Sequence, residues 1–225
     1  MVRSFRETTY LLATTLILVI DVDDPHLGEY LEIPGRHMKP AGGRALAPPD
    51  AITIMVLRAD ETGSLTKATN SAAKRVWGDD VIIGHVGDDH LFRTGGWDRT
   101  MAEVLRDPGI AYGNDLNVRE LLPTAPFISS IIPRTLGWYA LPACNHMFID
   151  NAWKELGKGL GQLRYVNGVI IEHMHPTVKK SSMDDGYIKA IASWGADETG
   201  FDLWRMQQLD LDLEKLRLAL ASDRP

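Results

Sequence analysis

One ten-residue stretch constrains this chain more than any other: Val81-Ile82-Ile83-Gly84-His85-Val86-Gly87-Asp88-Asp89-His90. An apolar run bounded by glycine predicts a buried strand. Glycine at a strand end lets another group approach the backbone closely. The run then stops in two carboxylates and an imidazole. Adjacent carboxylates at a strand end suit a hard divalent cation, which prefers oxygen ligands. They equally suit a solvated acidic turn. In an extended backbone Asp89 points away from Asp88 and His90, so a turn must begin here if both carboxylates are to face one ion.

The chain has 225 residues, of which 44% are hydrophobic and 24% charged, the composition of an ordinary globular protein with a sizeable core. A formal net charge of -6 argues against a broad basic surface, and so against sequence-independent grip on duplex nucleic acid. The single cysteine, Cys144, allows no internal disulfide and no zinc-finger spacing, and favours a reducing, cytoplasmic setting. Cys144 precedes Asn145-His146, but a small buried thiol is the commoner role than a nucleophile. The run from Tyr10 to Ile20 is too short and too rich in threonine to span a bilayer. It leads into Asp21-Val22-Asp23-Asp24 rather than into a small-residue cleavage site.

Hydrophobic periodicity divides the rest of the chain. Helices are expected over 2–12, 64–77, 97–106 and 145–156, with a short one near 27–32. Strands are expected over 15–20, 52–57, 81–86, 110–117 and 164–174, and 126–132 is apolar and β-branched. Pro25, Pro34, Pro40, Pro48 and Pro49 predict mostly loop over 26–50. From Asp197 to Leu220 a single long amphipathic helix is expected, with Leu209, Leu213, Leu216 and Leu220 on one stripe. It is expected to pack on the body, residues 1–196, or on a partner. Alternating strands and helices predict an α/β fold, a mostly parallel sheet with helices on both sides. Ligands gather outside the carboxyl ends of such strands, where both acidic clusters, 21–24 and 88–89, fall.

Five pieces in order resemble the nucleotide-sugar-dependent glycosyltransferases of the GT-A fold, and within them the family 2-like enzymes frequent in phage genomes. They are Asp21-Val22-Asp23-Asp24-Pro25; Gly63 to Asn70; Gly87-Asp88-Asp89-His90 with Thr94-Gly95-Gly96-Trp97-Asp98; His146 to Trp153; and Ile171 to Pro176. The resemblance covers roughly residues 4–190 and implies a Rossmann-like sheet and a metal, Mn2+ or Mg2+, holding the donor's diphosphate. It matches Asp88 and Asp89 to the acidic motif for that task, one to bind the ion and the other to contact ribose or sugar. His90, His173 and His175 are the further candidate ligands, the last two sharing one face of a strand.

The same resemblance matches Asp21, Asp23 or Asp24 to the position that grips the nucleotide base, where a carboxylate accepts from a uracil N–H. A UDP-sugar donor is therefore expected. It matches Lys67 and Asn70 to a helix approaching the nucleotide, and Asp150 to the base that takes the acceptor hydroxyl's proton in an inverting reaction. Asp150 is equally placed to favour a helix N-terminus, and Lys67 to be solvated. Asp115 is a weaker candidate base, and Trp97 suits a core anchor better than a sugar platform.

Family members open with a strand ahead of their first helix, whereas this chain starts inside that helix. A late start of the chain is then expected, or another segment or subunit in that strand's place, or a fold that closes differently, because buried backbone groups need partners. The acceptor (protein, glycan or modified DNA) is not specified, and a homo-oligomer fits. Two other readings are a non-catalytic binding or assembly protein of the same fold, and a nucleotidyltransferase. The latter would want a glycine-rich phosphate loop that the amino-terminal region lacks.

Overall fold

A computed structural model describes residues 1–11, 13–33, 51–180 and 185–222. The expected proline-rich loop therefore lies outside the described residues from position 34 on. The described elements run α1 (Val2–Thr8), β1 (Leu16–Asp21), α2 (Leu27–Leu31), β2 (Ile52–Leu57), α3 (Leu65–Val76), β3 (Ile82–Gly84), β4 (His90–Phe92), α4 (Trp97–Val104), β5 (Ile110–Asn114), β6 (Pro126–Ser129), α5 (Ile131–Leu136), α6 (Ile149–Gly159), β7 (Leu163–His173), α7 (Asp185–Ala192), α8 (Trp194–Gln207) and α9 (Leu209–Ser222).

The strands form an α/β arrangement, but not a mostly parallel one. β1 and β2 pair in parallel as a separate two-stranded sheet. The remaining strands form a mixed sheet in the order β3-β6-β5-β7-β4, in which only β5 and β7 are parallel. The connections explain the departure. A parallel pair needs a crossover of a dozen or more residues. α6 supplies one ahead of β7, whereas β5 returns to β6 through loop and a single 3-10 turn, so β6 runs antiparallel.

Successive residues of the inner strands serve opposite faces of the sheet, as the strand period requires. Ile110 and Ile128 enter one apolar core with Trp153 and Leu156 of α6 and Phe201, Trp204, Leu213 and Leu216 of α8 and α9. Ala111 and Phe127 enter the other, with Phe5, Trp97 and Met101 of α1 and α4 and Leu16, Leu18 and Ile52 of the small sheet. Trp97 is thus a core anchor, packed against Phe5, Phe92 and Phe127. Trp153 is fully buried and donates its indole N–H to the Tyr139 carbonyl at 2.7 Å, so neither its area nor its polar group is wasted.

The span from Asp197 to Leu220 is two helices, α8 and α9, rather than one. The leucine stripe is real, and Leu213 and Leu216 are buried, but it belongs to α9 alone. Asp212 accepts from the Trp204 indole and the Gln208 amide at 2.9 Å each, which folds α9 back on α8 at Gln208. Residue 197, where the carboxy-terminal helix was expected to begin, lies within α8. The Asp197 carboxylate is buried and accepts from the backbone N–H groups of Asn145, His146 and Met147 and from Ser193 Oγ. α8 therefore fixes the loop that leads into α6.

Burial works against the Asp197 charge, but these hydrogen bonds outweigh it and hold the carboxyl below its ordinary range. Removing it leaves three backbone donors without their acceptor, each costing on the order of 1 kcal/mol or more. Asp197→Ala is expected to lower unfolding stability by about 3 kcal/mol in urea denaturation at neutral pH. A depressed pKa contributes stability above the unfolded value, near 4, that is lost as pH falls. The loss in acid is therefore expected to be shallower in the variant.

Candidate metal centre

Gly87 to His90 form a turn closed by the His90 N–H on the Gly87 carbonyl at 3.2 Å. The turn that the sequence required is present, and it separates the two carboxylates. Asp88 is exposed, whereas Asp89 swings inward and is half-buried. Gly87 leaves room for both side chains: a Cβ there would stand 2.6 Å from Asp89 Oδ1 and 3.1 Å from His90 Nδ1, so one of them would have to shift.

β4 begins at His90 and pairs antiparallel with the end of β7, placing His90 opposite His173. Arg93 N–H donates to the Ile170 carbonyl and Met174 N–H to the Asp89 carbonyl. The ladder bonds thus fall on flanking pairs, and His90 and His173 form a non-hydrogen-bonded pair, the kind whose side chains lie closer. Their rings stack at 4.2 Å between centroids, tilted by 20°. β7 reaches this position through an irregularity. Gly113 pairs with Val166 but Asn114 with Ile170, so residues 167–169 are extra in β7. Gly113 admits them, since a Cβ there would lie 2.5 Å from the Val169 carbonyl. Beyond the irregularity, β7 leaves β5 for β4.

Asp89 bridges the two rings. Its Oδ1 lies 3.1 Å from His90 Nδ1, and its Oδ2 is 3.0 Å from His173 Nε2. Tyr187 of α7 donates its hydroxyl to Oδ2 as well. Burial opposes the charge, but hydrogen bonds with His173, His90 and Tyr187 outweigh it and hold the carboxyl well below the usual range. His90 Nδ1 also lies 3.1 Å from the Gly87 nitrogen, so it donates to Asp89 in one tautomer and accepts from the Gly87 N–H in the other. His90 Nε2 and His173 Nδ1 are buried without a hydrogen-bond partner among the described residues. Such orphans cost on the order of 1–3 kcal/mol each.

The donor atoms of Asp89, His90 and His173 gather within 4.8 Å of one another. Two imidazoles and one carboxylate suit a borderline cation such as Zn2+ or Fe2+; of the two ions that the resemblance implies, they suit Mn2+ better than Mg2+, which keeps oxygen ligands and near-ideal octahedral geometry.

Five of the chain's seven histidines (85, 90, 146, 173 and 175) collect around this point. The His175 ring meets His173 edge-on at 4.9 Å and Tyr187 at 5.0 Å. His85 packs 5.5 Å from the Trp153 ring. Burial, then the nearness of His90 and His146, pushes its pKa down to about 4, leaving it neutral at pH 7. Asp150, in the first turn of α6, is close enough to His173 to feel its charge. Burial raises its carboxyl to about 6 against the pull of the Asn151 N–H and its own N–H, and of His173 and Lys154. The residue that turns the chain into α6, Phe148, has φ of 64°, uncommon for an aromatic side chain, and is held by the rings of Trp194 and Phe201.

Other sequence candidates stand apart. Asp21 ends β1 on the small sheet and Asp23 and Asp24 follow it, with Asp24 Oδ1 accepting from the His26 N–H at 2.7 Å. No hydrogen bond or ion pair joins them to Asp89, His90 or His173 among the described residues. Burial, then Asp23 and Asp24, raises the Asp21 carboxyl. Asn70 is engaged by backbone: its oxygen accepts from Tyr139 and Ala140 N–H, and its amide donates to the Ala140 carbonyl. Asp115 is buried and accepts from Asn117 N–H, Arg119 N–H and Thr124 Oγ1. Lys67 is exposed. Cys144 is buried, and burial, with Asp197 and Asp150, pushes its thiol up to about 12, unsuited to a nucleophile.

Two members of the neighbourhood were given no role by the sequence reading, His85 and Tyr187, and Gly87 was quoted only as part of its motif. Gly87 and His85 lay inside the acidic stretch without a distinguishing pattern, and Tyr187 is a lone tyrosine far along the chain.

No protein-family model, no curated protein and no solved structure matches this chain. No described helix is long and apolar enough to cross a membrane.

A methyl group at position 87 must displace the Asp89 carboxylate or the His90 ring. Gly87→Ala is expected to weaken Mn2+ binding, followed by titration calorimetry, by about tenfold or more.

Proposed function

We propose that the chain is a metal-dependent glycosyltransferase that moves a sugar from a nucleotide-diphosphate donor to an acceptor hydroxyl. The observation that carries this reading is the convergence of Asp89, His90 and His173, with Asp150 beside them. A bound Mn2+ would act as a Lewis acid, offsetting charge that develops on the departing diphosphate. Asp89, His90 and His173 are the residues to hold it. Mn2+ is favoured over Mg2+ because two of the three donors are nitrogen.

Asp150 fits the base. With its carboxyl raised to about 6, it is ionised at neutral pH yet basic enough to take a proton. It removes the proton from the acceptor hydroxyl as that oxygen bonds to the anomeric carbon and the nucleotide diphosphate leaves with the bonding pair. His85, neutral at pH 7, adds no positive charge beside His90. In this reading Asp21, Asp23 and Asp24 take the base or ribose of a UDP-sugar, and Asp88, exposed beside the turn, is free to meet the donor.

One observation favours a second reading, a non-catalytic binding protein of the same architecture. The small sheet that carries Asp21 to Asp24 has no ladder bonds to the sheet that carries Asp89 among the described residues. UDP binding separates the two readings from failure of both. The transferase is expected to bind UDP by calorimetry only with Mn2+ present, and to release UDP from one of a panel of UDP-sugars. Absence of any nucleoside-diphosphate binding to the folded, Mn2+-loaded chain would sink it.

Asp150→Asn is expected to keep UDP binding and lose about 10²–10⁴-fold in turnover. The sign of the pH effect follows from the raised carboxyl. The base works when deprotonated, so wild-type turnover should fall as pH drops below about 6, and the Asn variant should lack that limb.

A further inference from the structure

Asp89 lies on a turn rather than in a strand or helix, so no packing face of its own element orients it. Its orientation comes from its hydrogen bonds. Oδ1 faces His90, on the adjacent residue. Oδ2 is met by two groups distant in sequence, His173 Nε2 and the Tyr187 hydroxyl at 2.5 Å. A cation that engages His173 Nε2 takes that nitrogen away from Oδ2. Tyr187 is then the remaining donor able to hold the carboxylate still.

Tyr187 is itself well supported. Its ring meets His175 edge-on at 5.0 Å. α7 is tied down at its far end by Ser193, whose hydroxyl donates to the Ala190 carbonyl and to Asp197 Oδ2. Ala190 is buried. Asp197 in turn fixes the backbone of 145–147 ahead of α6, so the segment that supplies Tyr187 and the helix that supplies Asp150 share one anchor.

We infer that Tyr187 is the positioning residue of the metal centre, and that through it cation binding is coupled to the docking of α7. The inference rests on the metal-centre reading given above. A carboxylate ligand commonly gives one oxygen to the ion and accepts an outer hydrogen bond on the other, and loss of such an outer partner typically costs 10–100-fold in affinity. The coupling is reciprocal: what α7 does for the ion, the ion does for α7.

The experiment uses the full chain and Mn2+ alone. Calorimetry gives Mn2+ affinity for wild type, Tyr187→Phe and Ile188→Ala, the last altering a neighbour that is 57% exposed. Hydrogen exchange follows the amides of α7 with and without the ion. Tyr187→Phe keeps the ring and its packing on His175 and loses only the hydroxyl. It is expected to bind Mn2+ 10–100-fold more weakly. Mn2+ is expected to slow exchange in α7 of wild type and of Ile188→Ala, and not of Tyr187→Phe. Equal or tighter Mn2+ binding by Tyr187→Phe overturns the positioning role while leaving the metal centre standing. Slowed α7 exchange in Tyr187→Phe to the wild-type extent overturns the coupling. No Mn2+ binding by wild type overturns the metal centre and this inference with it.

Discussion

The site depends first on a register. His90 and His173 meet because β4 and β7 pair so that these two residues stand opposite each other in a non-hydrogen-bonded position. A slip of one residue would send every side chain of the short strand to the other face. Phe92 would leave the core it shares with Phe5 and Trp97, and His90 would leave His173. The apolar burial of Phe92 therefore protects the imidazole pair, at roughly 1.5–3 kcal/mol for a large apolar side chain. The extra residues 167–169 in β7, admitted by Gly113, free the end of that strand from β5 and give it to β4. Packing constraints that carry no chemistry thus set the chemistry's geometry.

Buried carboxylates in this fold divide by what they hold. Asp98 accepts from the backbone N–H groups of Tyr10 and Leu11 and from Thr14 Oγ1. Asp115 and Asp197 do the same for two other loops. Each substitutes one charged acceptor for several backbone partners that irregular chain lacks, which is how buried loops avoid unpaired donors. Asp89 differs in kind, because its partners are two imidazoles and a phenol. Asp150 differs again: it accepts from its own N–H and that of Asn151, and burial prevails, raising its carboxyl to about 6. The two acids are thus shifted in opposite directions, one by its partners and the other by burial.

Much of the element list was legible, for reasons that also mark the limit. β2 falls on the β-branched run at 52–57, and α3 begins after Ser64, whose hydroxyl accepts from the Lys67 N–H as a cap should. β4 was missed because three residues directly after a turn carry no period. The single carboxy-terminal helix was expected because leucines recur across 209, and the Trp204–Asp212 bond that breaks it joins residues whose pattern is compatible with continuity. Strand direction was misjudged because it is set by what connects the strands, and the β5–β6 link looks like any loop. At the site, the residue types were readable but their partners were not. Asn70 and Asp115 have the side chains a ligand site needs, and only the fold shows them engaged with backbone.

The two acidic ends that the sequence singled out differ in how they are joined to the body. Asp21 to Asp24 lie at the end of a strand that, among the described residues, is laddered to β2 alone, whereas Asp89 precedes a strand laddered into the larger sheet. What unites them is apolar: Leu16, Leu18 and Ile20 share a core with Ile82, Val86 and Ile171. Side-chain packing fixes separation well but orientation less strictly than a hydrogen-bonded ladder, because it is non-directional. A ligand that engaged both ends would therefore contribute part of their mutual alignment itself. In the transferase reading, the base and the diphosphate of one donor are the natural pair of handles. Affinity for the whole nucleotide would then exceed what either acidic end gives alone, through the ordinary gain of joining two weak sites on one ligand.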